Sequence, residues 1–206
     1  MAGRELHVYP RIFISYRRED SGGHTGRIYD KLFSEFGKDQ LFLDVAHISA
    51  GTDFVTALKD GINWCDVMLV VIGKSWLTAK NSEGLLRIHL ADDFVCMEIS
   101  LALQREIPVI PILVDNARMP SEAELSRQLS TFARLQAIAL SDAAFHPEFD
   151  HNLMPVLKRI GTDRAKREKE EAKKREEESL QLRAARKEEA SIPEEFEEGS
   201  NWAGIG

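Results

Sequence analysis

The chain has 206 residues, of which 43% are hydrophobic and 30% charged, and its formal net charge at pH 7 is −7. This length and composition predict one globular domain with an appendage, and no apolar run is long enough to span a membrane. The excess of acidic side chains argues against nucleic acid or an anionic membrane as the main partner.

Short apolar runs alternate with helical patterns over residues 9–160. In chain order they predict a strand at 11–15, a helix at 26–36, a strand at 41–44, a helix at 53–64, a strand at 67–72, a helix around Glu98, strands at 109–114 and 136–140, and a helix at 150–160. This alternation implies a parallel sheet with helices on both faces and right-handed crossovers. The predicted fold is therefore α/β, a doubly wound five-stranded parallel sheet that binds ligands at the carboxyl ends of its strands.

Three local features refine this prediction. The strand at 67–72 is apolar on both faces, as expected of a central parallel strand. Pro111, inside the fourth strand, argues for a position nearer the sheet edge or for a local irregularity. Thr52 or Asp53 is a plausible N-cap for the second helix.

The composition changes abruptly after Gly161 to a segment rich in Lys, Arg, Glu and Ala, with opposite charges at i,i+4. Only Leu180 and Leu182 are large and apolar there, so a solvated or partly helical linker is favoured over a coiled coil. The predicted organisation is an N-terminal extension at 1–8, a globular domain at 9–160, a charged helical linker at 161–191 and a disordered tail at 192–206. The tail could equally lead into a further domain.

Glu98 is the most informative single residue. Its neighbours on the same helical face, at i±3 and i±4, are all apolar: Phe94, Val95, Leu101 and Ala102. A carboxylate without an obvious helical partner is a candidate for a functional cleft. The alternative is a helix-edge glutamate that reaches solvent or pairs with an arginine from elsewhere in the chain.

Polar and cationic side chains follow the first strand at the predicted ligand end of the sheet. Arg17 and Arg18 could hold phosphates in a bidentate manner, and the alternative is an ordinary charged loop. The connection from the second strand to its helix is long and contains Gly51, a residue type suited to positive φ or close approach, which favours a functional lid. Trp64 and Trp76 flank the central strand and are interpreted as core or groove aromatics.

Cysteines and histidines indicate no metal site. Cys65 and Cys96 lie in apolar segments, and neither has a second cysteine or a histidine at ligand spacing. They are predicted to be small core residues of a reducing compartment. No nucleophilic triad is visible, and the N-terminus lacks the apolar stretch of a signal peptide, so a cytoplasmic location is expected.

Four motifs follow one another along the chain: FISYRR at 13–18, FLDVAHISAG at 42–51, DFVCMEI at 93–99 and IPVIPILV at 107–114. With these motifs, residues 9–160 resemble a bacterial-type Toll/interleukin-1 receptor (TIR) domain. The second motif coincides with the family's BB loop, the connection of residues 44–53 between the second strand and its helix. The resemblance implies the flavodoxin-like form of the predicted fold.

TIR domains divide between adaptors that assemble through the BB loop and enzymes that cleave NAD+ at the nicotinamide–ribose bond. The resemblance implies the second group: an NAD+ glycohydrolase releasing nicotinamide and ADP-ribose, or a cyclic variant, in bacterial immune signalling against phage. It implies no cofactor beyond NAD+ as substrate, no metal, self-association into a homo-oligomer or filament, a fused or partner sensor or effector domain, and neither nucleic acid nor membrane as partner. The alternatives are a non-enzymatic interaction scaffold and a nucleotide sensor without turnover.

The resemblance also assigns site residues. In the enzymatic group a glutamate on the helix after the third strand is catalytic, and it aligns with Glu98. Because loss of nicotinamide develops oxocarbenium character at the ribose, one carboxylate can stabilise that cation without a metal. The substrate-binding residues expected on this basis are Ser15, Tyr16, Arg17, Arg18, Asp44, Gly51, Phe54, Trp76 and Phe94.

Overall fold

A computed structural model of the chain describes residues 9–43, 54–90 and 92–189. The chain divides into two units, Met1–Ala165 and Lys166–Gly206. Among the described residues, no helix combines the length and the apolar character needed to cross a membrane. The predicted N-cap residues Thr52 and Asp53, and the BB-loop residues Asp44 and Gly51, lie outside the described ranges.

The first unit contains a five-stranded sheet in which all neighbouring strands are parallel. The strands are β1 (Ile12–Tyr16), β2 (Leu41–Leu43), β3 (Val67–Ile72), β4 (Val109–Leu113) and β5 (Ile138–Ala139). Their order across the sheet is β2-β1-β3-β4-β5, the flavodoxin-like arrangement. The predicted fold class is therefore confirmed, with β3 at the centre and every one of its side chains buried.

The helices are α1 (Arg18–Phe36), α2 (Phe54–Trp64), α3 (Phe94–Gln104), α4 (Phe145–Glu148) and α5 (Met154–Glu189). A π-helical segment, Phe149–Leu153, leads from α4 into α5. The sequence predicts the closing helix at 150–160, whereas in the structure residues 150–153 belong to the π-helical segment and α5 begins at Met154. Pro155, the second residue of α5, has no N–H to donate to the preceding turn.

The start of α1 differs from the prediction by eight residues. The segment before Gly26 is rich in glycine and predicts a loop, yet the helix begins at Arg18, with one non-helical residue at Ser21 (φ −132°, ψ 16°). Glu19 and Asp20 occupy the first turn, where acidic side chains complement the helix dipole. Asp20 is also anchored by tertiary hydrogen bonds, described below, and such contacts override the low helical propensity of glycine.

Two hydrophobic clusters cover the two faces of the sheet. Because successive strand residues point to opposite faces, β1 and β3 contribute alternate side chains to each cluster. One cluster contains Phe13, Met68 and residues of α2 and α3. The other contains Ile12, Val67 and residues of α1 and the start of α5.

Pro111 lies in β4, next to the edge strand β5, in agreement with the prediction of a position near the edge. It pairs with Val70 of β3. On the other side, β5 pairs only with Ile112 and Leu113. Pro111 therefore lies outside the short β5 ladder, where its missing N–H removes no bond.

The described part of the second unit, up to Glu189, is helical, as expected for the charged segment. Two ion pairs have i,i+4 spacing: Arg175 Nη2 lies 3.3 Å from Glu171 Oε2, and Lys173 Nζ lies 3.7 Å from Glu177 Oε1. Leu180 and Leu182 are exposed.

Candidate functional site

The carboxyl ends of β1 and β3 lie side by side in the middle of the sheet. The chain continues from β1 to β2 on one side and from β3 to β4 on the other, so this is the point where the strand order reverses. In doubly wound sheets, the crevice at this switch point is where ligands bind. Ser15 and Tyr16 end β1 here, and Gly73 follows β3.

Glu98 lies on α3 beside this switch point and is 3% exposed. Ser15 Oγ donates a hydrogen bond to Glu98 Oε2 with a donor–acceptor distance of 2.5 Å. The structure therefore excludes the alternative of a glutamate that reaches solvent at a helix edge. A buried carboxylate can strongly stabilise a positive charge that develops beside it, because little water screens the interaction.

The N-terminus of α3 is fixed by Asp93, whose carboxylate accepts four hydrogen bonds. Cys96 N–H donates to Oδ1 at 3.0 Å, which makes Asp93 the N-cap of α3. Arg17 donates through Nη1 to Oδ2 at 2.7 Å and through Nη2 to Oδ1 at 3.0 Å, and both side chains are fully buried. Arg87 Nε donates to Oδ2 at 3.0 Å.

The electrostatic balance at Asp93 favours the charged form. Burial acts to raise the pKa of the Asp93 carboxyl, but the hydrogen bonds and positive charge of Arg17, with the Cys96 N–H, outweigh it and hold this pKa below its ordinary value. Asp93 is therefore a carboxylate that joins the end of β1, the β3–α3 connection and the first turn of α3.

Trp76 is buried and forms one wall around Arg17. The guanidinium carbon of Arg17 lies 5.3 Å from the centroid of the Trp76 ring, within cation–π distance. The centroid of Phe132 lies 6.1 Å from that of Trp76 on the same apolar cluster. Of the two interpretations of Trp76, core or groove aromatic, its burial supports the first, and substrate binding by Trp76 stays a prediction.

Asp20 holds the connection that leads from β3 to Trp76. Its two carboxylate oxygens accept hydrogen bonds from the backbone N–H groups of Gly73 and Ser75, both at 2.7 Å. A Cβ atom added at Gly73 would lie 2.7 Å from these oxygens, so the close approach requires glycine. This contact ties the first turn of α1 to the carboxyl end of β3.

The predicted site residues are distributed unevenly around this centre. Ser15 and Glu98 are in direct contact, Tyr16 is half-buried at the end of β1, and Arg18 is exposed on the first turn of α1. Phe94, the first residue of α3, is 49% exposed.

The remaining predicted residues have other surroundings. The guanidinium of Arg17 is engaged with Asp93 rather than presented to a phosphate. The backbone of Phe54 begins α2, whereas Asp44 and Gly51 lie outside the described residues. Substrate binding by all of these residues stays a prediction.

Sequence reasoning missed three residues that build the site: Asp20, Arg87 and Asp93. For Asp93 a signal exists, because an aspartate directly before an apolar helical run is a typical N-cap. The roles of Asp20 and Arg87 depend on tertiary contacts and leave no local pattern in the sequence.

Both cysteines are free and buried, as predicted. Burial raises the pKa of the Cys65 thiol and of the Cys96 thiol to about 12. Within the described residues, no group of three or more His, Cys, Asp or Glu side chains has an arrangement that could hold a metal ion.

Comparisons with known proteins give the following matches. A family model described as TIR domain matches residues 12–157. Similar solved structures include the TIR domains of the activated Roq1 resistosome that recognises the pathogen effector XopQ, with 15% identity, a TM-score of 0.43, and coverage of 74% of this chain and 84% of that chain. The TIR domain of the Toll-related receptor TRR-2 from Hydra magnipapillata has 18% identity and a TM-score of 0.48, with coverage of 72% and 98%. A prokaryotic SEFIR domain has 21% identity and a TM-score of 0.46, with coverage of 73% and 97%. No curated protein sequence matches significantly.

Proposed function

The chain belongs to the TIR-domain family, and from this premise we propose that it is a bacterial NAD+ glycohydrolase. The observation that carries the proposal is the burial of Glu98 at the switch point of the sheet, with Ser15 as its hydrogen-bond donor. Glu98 is the proposed catalytic residue. The proposed setting is immune signalling against phage in the cytoplasm.

The proposed reaction breaks the bond between ribose C1′ and the nicotinamide nitrogen. The bonding electron pair leaves with nicotinamide, whose ring nitrogen thereby loses its positive charge, and C1′ gains oxocarbenium character. Glu98 stabilises this cation and orients the ribose. Attack of water at C1′ with loss of a proton gives ADP-ribose, and attack by a group of the same nucleotide gives a cyclic product.

Two exposed side chains, one at the start of α1 and one at the start of α3, suit a dinucleotide. Arg18 supplies an exposed cation for a phosphate, and Phe94 supplies a half-exposed ring for stacking on a base. Tyr16, half-buried at the end of β1, adds a second aromatic ring. We propose that the BB loop, with Asp44 and Gly51, and the neighbouring Phe54 complete the pocket, and that NAD+ is the only small molecule required.

We further propose that the protein acts as a homo-oligomer or filament assembled through the BB loop, with a fused or partner sensor or effector domain. Neither nucleic acid nor a membrane is proposed as a partner. A non-enzymatic scaffold is the second candidate. It is favoured by the exposed apolar side chains of Leu85, Leu86 and Phe94, because an assembly surface would cover such groups.

The deciding experiment incubates the full chain with NAD+ over a range of protein concentrations and resolves the products by mass. Wild type is expected to release nicotinamide, and Glu98→Gln to reduce kcat by at least about 100-fold. Glu83→Gln makes the same chemical change at an exposed position and is the matched control.

Absence of nicotinamide at every protein concentration would refute the enzymatic proposal. Undiminished release by Glu98→Gln would refute the role of Glu98. A melting temperature that rises with NAD+ while the nucleotide stays intact would instead indicate a sensor without turnover.

A further inference from the structure

We propose that Asp93 is a positioning residue, which with Arg17 fixes the first turn of α3 on the end of β1 and thereby keeps Glu98 against Ser15. The inference rests on the proposed function, because Glu98 is its reacting group. It adds a residue that touches no substrate and acts through the placement of α3.

Two contacts with matched spacing join β1 to α3. Ser15 and Arg17 are two residues apart in extended backbone (φ −97°, ψ 117° at Arg17), so their side chains share one face about 6.6 Å apart. Asp93 and Glu98 are five residues apart on α3, a rise of about 7.5 Å.

The two contacts connect these pairs in antiparallel fashion. Ser15 Oγ donates to Glu98 Oε2 at 2.5 Å, and Arg17 Nη1 donates to Asp93 Oδ2 at 2.7 Å. The earlier residue of β1 therefore contacts the later residue of α3. With both contacts made, α3 can neither slide along β1 nor turn about its axis without breaking one of them. With the Asp93 contact removed, one of these two attachments of α3 to β1 is lost, and Glu98 can shift relative to Ser15.

The contact between Arg17 and Asp93 fixes the orientation of the two side chains. Both oxygens of its carboxylate are engaged by the paired Nη atoms of Arg17, and such bidentate pairs fix orientation as well as distance. Arg17 itself is held between Asp93 and the ring of Trp76. Buried ion pairs often contribute little net stability compared with apolar side chains of similar volume. We therefore assign the Arg17–Asp93 pair the role of holding α3 in position, and not mainly that of stabilising the fold.

The chain offers a matched control pair at the opposite end of the same sheet. Asp66 directly precedes β3, and its buried carboxylate accepts from Arg11 through the backbone N–H at 2.7 Å, Nε at 3.3 Å and Nη2 at 3.1 Å. Asp66→Asn therefore weakens another arginine–carboxylate pair, which is less buried and also includes Arg164 Nη1 at 3.4 Å from Asp66 Oδ2, without touching the N-terminus of α3.

The experiment compares Asp93→Asn with Asp66→Asn in the full chain, measuring kcat and KM for NAD+ and the melting temperature. Asparagine retains an oxygen that can cap α3 but loses the charge that Arg17 binds. Asp93→Asn is expected to lower kcat by about 10- to 100-fold with KM within about twofold of wild type. Asp66→Asn is expected to retain wild-type kcat even if both melting temperatures fall equally.

Two further variants grade the effect. Arg17→Lys retains the charge without the fork and should lower kcat less than Asp93→Asn does. Arg87→Ala removes one of the four hydrogen bonds to Asp93 and should lower kcat least. Arg87→Ala also decides the question if Asp93→Asn does not fold, and wild-type kcat in this variant would then overturn the inference.

An independent readout separates this inference from the proposed function. The carboxyl 13C signal of Glu98, assigned by its loss in Glu98→Gln, is expected to shift in Asp93→Asn and to remain in place in Asp66→Asn. If wild type releases no nicotinamide, the proposed function fails while this signal still tests the positioning. An unshifted Glu98 signal in a folded Asp93→Asn protein, or an equal loss of kcat in Asp66→Asn, would overturn the inference.

Discussion

Ser15 and Glu98 are 83 residues apart in the chain, and their 2.5 Å hydrogen bond joins the end of β1 to the middle of α3. Both side chains are buried, so water cannot replace the hydroxyl as donor at Oε2 without rearrangement. A buried hydrogen bond of this kind contributes about 1 to 3 kcal/mol when its loss leaves an acceptor desolvated. The bond therefore links the stability of the fold to the placement of the proposed catalytic group.

Replacing Ser15 by alanine should test both parts of this link. The Ser15→Ala variant is expected to lose about 1 to 3 kcal/mol in free energy of unfolding and to have a reduced kcat for NAD+ cleavage. Urea denaturation and nicotinamide release measure the two effects. Ser34→Ala removes an exposed hydroxyl that donates to the Lys31 carbonyl and should change the free energy of unfolding by no more than about 0.5 kcal/mol. Wild-type stability in Ser15→Ala would contradict the prediction.

A side chain at Gly73 should destabilise the fold. In Gly73→Ala the new Cβ would lie 2.7 Å from the Asp20 carboxylate, so Asp20 must withdraw and lose its hydrogen bonds to Gly73 and Ser75. We expect a loss of about 1 to 3 kcal/mol in free energy of unfolding, measured by urea denaturation.

Gly26→Ala is the control for this substitution. Gly26 lies in α1, and an added Cβ there meets nothing within 4 Å. Because alanine favours the helix, this variant should gain up to about 1 kcal/mol. Equal effects of the two substitutions would show that the contact with Asp20 has no energetic weight.

The sheet could be predicted because its signals are local. The run at 67–72 is apolar on both faces, the pattern expected of a central parallel strand, and its length of six residues favours a strand over a helix. Alternation with helical segments then implies the crossover topology. The lone carboxylate of Glu98 also stands out locally, since all of its helical neighbours are apolar.

The hydrogen-bond partners of the site residues could not be predicted from the sequence, because tertiary contacts bring these partners together. Arg17 directly follows β1, at a position where an arginine could bind a phosphate. The fold instead places Asp93 Oδ2 at 2.7 Å from Arg17 Nη1. The beginning of α1 could not be predicted for the same reason. Asp20, in the first turn of this helix, is fixed by the N–H groups of Gly73 and Ser75, which follow β3. Only Asp93 had a local signature, its N-cap position.

The two thiols should be unreactive in the folded protein. Burial raises the pKa of both Cys65 and Cys96 to about 12, so almost no thiolate is present at about pH 8. A disulfide reagent such as dithionitrobenzoate is expected to release no chromophore from native protein within minutes, and two equivalents after denaturation in urea. Rapid reaction of one thiol in the native protein would show that the hydrophobic cluster around it becomes accessible to the reagent.

Acid should remove the contribution of Asp93 to stability. Its pKa is lower in the folded protein than the ordinary value of 3.8, so folding favours the ionised form. This contribution is fully present well above pH 3.8. As the pH falls through 3.8 the unfolded chain takes up the proton first, and the contribution is lost as the pH passes the lower pKa of the folded state.

Comparison of wild type with Asp93→Asn isolates this effect, because the other carboxyl groups titrate in both proteins. At about pH 7, wild type should be more stable by about 3 kcal/mol, since the variant leaves Arg17 buried without its counter-charge. This difference should shrink steadily when urea denaturation is repeated towards about pH 3. The difference between wild type and Ser34→Ala, which changes no titratable group, should stay constant over the same range. A wild-type advantage over Asp93→Asn that is independent of pH would show that the Arg17–Asp93 pair does not stabilise the charged carboxylate.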